Sequence, residues 1–181
     1  MLKALPFKPK SMKAFIHIIV ALCCPMMVFC QDITGLWKGT MYNDSTKQSL
    51  DYEIVISKVK GKLTGFSHTS YVINDKKYYG IKKISVRVAM DGKIVFQDNK
   101  LLENNYDNQQ NKNVIQLNVL NLANSGSESF MDGIFVTNRS KEYQAVTGRM
   151  SIIKVNPLVA QSDLWKYLKK NTDEDNMTVA K

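Results

Sequence analysis

Between Gln31 and Val155 the sequence alternates runs of β-branched and aromatic residues with polar turn clusters, one turn signal falling roughly every ten to fifteen residues. That rhythm is the mark of an all-β sandwich or barrel. The expected strands cover 33–42, 51–59, 63–73, 78–89, 93–97, 114–122, 129–138 and 143–155. Their joints carry residues that favour tight turns: Lys60-Gly61-Lys62, Asn74-Asp75-Lys76-Lys77, Asp91-Gly92 and Asn124-Ser125-Gly126-Ser127. Connections this short make each strand pair with the next one along, as in a meander.

Alternation within the strands says which face is buried. Tyr52, Ile54 and Ile56 share a face opposite Asp51, Glu53 and Ser57; Ile84, Val86 and Val88 share another. In 114–122, Ile115, Leu117 and Val119 are expected to face inward. The segment 98–113 is polar and Asn-rich apart from Leu101 and Leu102, and reads as a short strand followed by a long exposed loop. Pro157 ends the last strand. Ser162-Asp163 then caps a short amphipathic helix to about residue 170, with Leu164, Trp165 and Leu168 on its apolar side and a polar tail to residue 181. The fold expected is an antiparallel up-and-down β-barrel of about eight or nine strands with a short C-terminal helix, because closure removes exposed strand edges. One face of most strands carries Lys, Asp, Glu, Ser or Asn, which argues against a lipid-facing barrel.

Residues 1–30 have the pattern of a signal peptide. Lys3, Lys8, Lys10 and Lys13 form a basic start, and residues 14–29 form an apolar stretch shorter than a typical membrane span. Val28 and Cys30 place small residues at −3 and −1 for cleavage near Cys30-Gln31. An uncleaved anchor and lipidation of a cysteine are the less favoured alternatives: Cys23 follows Leu22 and Cys30 follows Phe29, neither a lipoprotein context. The expected organisation is therefore signal 1–30, barrel domain 31–160, and helix with polar tail 161–181, in a secreted or periplasmic protein with no transmembrane span after cleavage.

Cleavage changes the composition. The net charge of +9 loses four lysines to become +5, and 151 residues remain, enough for one core. The remaining lysines are scattered, which speaks against nucleic acid as a partner. All three cysteines lie within residues 1–30, so the mature chain has no disulfide and no thiolate chemistry.

Few residues suggest catalysis. His68 is the single histidine after the signal, and its neighbours on one strand cannot converge into a triad. One His without Cys lacks the usual zinc ligand sets, and no cofactor is implied. Tyr71, Tyr78, Tyr79 and Tyr106 cluster around the third and fourth strands and the long loop, where rings at a barrel mouth would offer flat apolar faces with a hydroxyl handle. His68, Tyr71 and Tyr79 are the candidate ligand-binding residues.

Gly35 and Trp37 in the first strand form a G-x-W motif that resembles the opening of the calycin superfamily, the lipocalins and their avidin-like relatives. The resemblance implies that Trp37 closes one barrel end against an Arg from a late strand, and Arg149 in Thr147-Gly148-Arg149-Met150 is the matching candidate. It also implies non-catalytic binding of a small apolar or amphipathic ligand inside the barrel. The alternative is a packed-core envelope accessory or protein-interaction module acting through its loops. Oligomeric state is not legible.

Overall fold

The computed structural model describes residues 32–107, 114–140, 143–156 and 161–168. The signal segment 1–30 and the polar tail fall outside the described residues. Eight antiparallel strands follow in chain order: β1 (Gly35–Asn43), β2 (Gln48–Val59), β3 (Lys62–Ile73), β4 (Lys76–Val88), β5 (Ile94–Asn104), β6 (Gln116–Ser125), β7 (Glu128–Thr137) and β8 (Thr147–Val155). Each pairs with its neighbour, and β8 returns to β1 from Leu36–Val155 to Asn43–Gly148, closing the barrel. The short helix α1 covers 164–168.

Turn chemistry explains the tight joints. Lys60 and Gly61 have φ of 49° and 81°, and Asn74 and Asp75 have 51° and 61°. Consecutive left-handed residues form the two-residue turns whose twist matches that of the flanking strands. Lys76 and Lys77 consequently belong to β4 rather than to the turn.

Inside, the lower barrel is filled by Trp37, Ile54, Ile56, Ile84, Ile94, Phe96, Leu120, Met131, Met150 and Ile152. Trp37 is fully buried at the end where β1 begins, and its indole Nε1 donates to Ile33 O at 2.9 Å. Gly35 has φ of 113°, a conformation that favours glycine, and the Lys154 side chain lies against it. This gives the G-x-W motif its structural sense. The cation over the Trp37 ring is Lys154, its register partner on β8, with Nζ 5.7 Å from the ring centroid. Arg149 is not that partner. It points outward and exposed, paired in register with Tyr42 and Ile134, because residues 148, 150 and 152 take the inward parity of β8.

Two further expectations change. The strand after Asp91-Gly92 does not end at Gln97 but continues to Asn104. Its register with β4 shifts twice, leaving Asn99 and Leu102 as extra residues, and these bulges erase the period of two that marks a strand. On β6 the inward residues are Gln116, Asn118 and Leu120, all buried, whereas Ile115 is exposed and Leu117 and Val119 face outward. The interior at this level is polar, so the apolar set is the outer one.

The outer face of β1–β4 carries a second core. Leu36, Val55, Phe66 and Ile81 pack against Leu164 of α1, with Trp165, Tyr167 and Leu168 beside them. Two carboxylates clamp the helix. Glu53 takes the Lys38 ammonium at 2.9 Å and the Ser162 hydroxyl at 2.7 Å, while Ser162 Oγ caps α1 by accepting from Leu164 N at 3.2 Å. Glu103 accepts from Tyr79 at 2.8 Å and from Tyr167. The Tyr167 and Tyr79 hydroxyls hold Glu103 below its ordinary 4.5. A depressed folded value means stabilisation present above 4.5 and lost as pH falls through the lower folded value. In a Trp37→Phe background, Trp165 emission is expected to shift red on acidification below that point, and Glu103→Gln to show the shift already at neutral pH. A pH-independent Trp165 signal in both proteins would remove the clamp.

Candidate functional site

The end opposite Trp37 is open. The interior residues there are no longer apolar throughout, since β1 and β2 contribute Asn43 and Gln48, β3 Thr69 and Tyr71, β4 Lys82, β6 Gln116 and β7 Thr137. Between them lies a cavity of about 250 Å³ open to solvent, whose apolar wall comes from Met41, Leu50, Phe135, Val146 and the tyrosines.

One wall of this mouth is a tyrosine stack. The Tyr71 ring lies between Tyr78 and Tyr106, with centroids 5.5 and 6.3 Å apart and planes within 20° and 22° of parallel. Tyr106 reaches the wall because Gly80 has no side chain: a Cβ there would stand 2.1 Å from the Tyr106 hydroxyl. Burial pushes the Tyr106 hydroxyl up, so it is a neutral hydrogen-bonding group at physiological pH. Tyr78 donates to Asp107, which also pairs with Lys76 at 2.6 Å at the rim.

Below the mouth a polar layer crosses the barrel. Lys82 Nζ lies 2.6 Å from Asp98 Oδ2 and donates to Val114 O at 2.8 Å. Asp98 Oδ2 also accepts from Gln116 N at 3.2 Å. Gln116 Nε2 donates to Asn118 Oδ1 at 2.7 Å, and Asn118 Nδ2 to Phe96 O at 3.3 Å. These bonds occupy a weak place in the wall. The β5–β6 ladder runs only from Ile94–Leu120 to Gln97–Leu117, and beyond it the Lys82 and Asp98 side chains bridge the seam. Desolvation raises the Asp98 carboxyl from its ordinary value while the Lys82 ammonium opposes the rise. Deeper still, Tyr52 stacks on Phe96, and its buried hydroxyl makes no hydrogen bond of good geometry among the described residues.

The three candidate residues from the sequence separate. Tyr71 faces the cavity. His68 and Tyr79 stand on the outer surface, ring centroids 5.9 Å apart, beside Glu53 and the face that α1 covers. Burial lowers the His68 pKa, with Glu53 opposing. A strand forces the split, since His68 and Tyr71 are three residues apart and must point to opposite faces. Lys82, Asp98 and Gln116 were missed. Extending the alternation of Ile84–Val86 and of Ile94–Phe96 by one step places Lys82 and Asp98 inside, and that was the available signal.

Among the described residues no group of three or more His, Cys, Asp or Glu could hold a metal ion, and no helix is long and apolar enough to cross a membrane. Comparison with protein-family models, with curated proteins and with solved structures finds no match to this chain.

Proposed function

We propose that the chain is an exported, non-catalytic binding protein of calycin-like architecture that holds a small amphipathic molecule at the open end of its barrel. The observation that carries this reading is the asymmetry of the interior: one end is plugged by Trp37 over a packed core, and the other opens into a cavity of about 250 Å³. Aromatic and aliphatic walls with a few convergent polar groups are the usual make-up of a small-molecule site. Gln116, Lys82 and the tyrosine stack act as positioning groups there, none of them arranged with a nucleophile.

Native mass spectrometry of the protein purified from its producing cells tests the proposal. A small bound mass is expected, lost on denaturation and missing from a Thr69→Trp variant, whose indole would fill the cavity. The denatured chain is expected to begin at Gln31. An empty native mass together with failure to bind added amphipaths would sink the carrier reading.

A second reading, an interaction module acting through a strand face rather than through its loops, draws on the outer face of β6–β8. Ile134, Val136 and Ile153 are exposed there beside Leu117 and Val119, outside the surface that α1 covers.

A further inference from the structure

The electrostatics of the mouth say more than that something amphipathic fits. Of the sixteen described residues lining the cavity, Lys82 alone carries a formal charge. That charge is already engaged: Nζ is 2.6 Å from Asp98 Oδ2, donates to Val114 O, and has a side chain only 14% exposed. The other polar lining groups are amides and hydroxyls, among them Asn43, Gln48, Thr69 and Thr137. An anionic headgroup entering this site would be desolvated without a free cation among the described lining residues to meet it, and it would sit close to the Asp98 carboxylate. A cationic headgroup would lose its hydration facing Lys82.

We propose that the cavity selects uncharged ligands, ring-bearing molecules with hydroxyl, amide or carbonyl substituents, and that the Lys82–Asp98 pair is the element that enforces neutrality. The aromatic wall formed by Tyr71 and Tyr106 suits the ring, and neutral donors and acceptors suit the substituents. The pair acts by mutual compensation. A lone lysine at the same place would recruit carboxylates, sulfonates or phosphates. This inference rests on the carrier reading and narrows it to a ligand class.

Two fluorescent probes with one skeleton separate the possibilities: N-phenyl-1-naphthylamine, which is uncharged, and 1-anilinonaphthalene-8-sulfonate, which carries a sulfonate. The wild-type protein is expected to bind the neutral probe about tenfold or more tighter. Thr69→Trp is expected to abolish that binding, which locates the probe in the cavity. Asp98→Asn leaves the Lys82 charge uncompensated and is expected to shift the preference towards the sulfonate by a similar factor; circular dichroism reports whether that variant folds. Should it fail to fold, the wild-type ratio still decides. Equal or tighter binding of the sulfonate by wild type would overturn the selectivity while leaving a carrier. Neutral-probe binding that survives Thr69→Trp would overturn it as well, since the probe would lie elsewhere. Failure of both probes to bind would remove the carrier reading and this inference with it.

Discussion

Trp37→Ala is expected to lower the unfolding free energy by about 3–5 kcal/mol, the range for removing a large buried aromatic side chain. Trp37 is fully buried, packs into the lower core and holds Ile33 O through its indole. Its core neighbours are anchored on strands of a closed sheet, which limits how far they can move into the space. At roughly 2–4 °C per kcal/mol for a domain of this size, the midpoint should fall on the order of 10 °C. Thermal unfolding followed by circular dichroism measures it. Trp37→Phe keeps most of the packing but orphans the Ile33 carbonyl, so a smaller loss of about 1–3 kcal/mol is expected. A loss below about 1 kcal/mol for the alanine variant would mean that the plug does not hold the barrel end.

Lys82→Met is the second large effect, about 3–5 kcal/mol, because it strands a buried carboxylate rather than because the pair itself is strongly stabilising. Asp98 is 5% exposed in its side chain and, among the described residues, would keep the Gln116 amide as its partner. The bond to Val114 O that bridges the β5–β6 seam would go as well. The pH dependence gives the test its sign. The Asp98 carboxyl is already raised by burial, and losing the ammonium raises it further. A group whose folded pKa exceeds its unfolded value favours folding more strongly as it takes up its proton. The variant should therefore regain stability on acidification through the carboxylate range, relative to wild type. Lys82→Met with Asp98→Leu should return close to wild type at neutral pH, since neither charge is left buried alone. Denaturant unfolding at neutral and mildly acidic pH gives both readings. A double variant as unstable as the single one would show that the pair is needed for more than mutual neutralisation.

How much of this was legible depended on how local the information was. The tight hairpins at Lys60-Gly61, Asn74-Asp75, Asp91-Gly92 and Ser125-Gly126 announced themselves through residues that accept left-handed backbone, Asp91-Gly92 being the strongest signal. The helix was equally readable, from Ser162 as cap and Leu164, Trp165 and Leu168 as one apolar side. Strand β5 was half hidden, because its bulges break the alternation on which strand recognition rests. The faces of β6 came out reversed for a related reason. Ile115, Leu117 and Val119 are the more apolar set, yet Gln116 and Asn118 are wanted inside by the polar layer around Asp98. With a side-chain period of two, a shift of one residue moves every side chain to the other face.

The candidate site followed the same division. Tyrosines near the mouth were visible as a cluster, and Tyr71, Tyr78 and Tyr106 do stack there. Tyr79 belongs to the opposite face, where it helps Glu103 hold the helix. The G-x-W resemblance pointed to Arg149 as the partner of Trp37; the register of β8 against β1 puts Lys154 over the ring and Arg149 outside.

By itself the sequence determined the all-β class, a meander of about eight or nine strands, and the positions of the tight turns and the helix to within a few residues, because these follow from periodicity and from the backbone preferences of neighbouring residues. Only the tertiary structure decided which parity of each strand faces inward, and that Lys82 meets Asp98 across β4 and β5. It also decided that one end of the barrel is plugged while the other stays open. These outcomes depend on register and closure summed around the whole sheet, and no single strand contains that information.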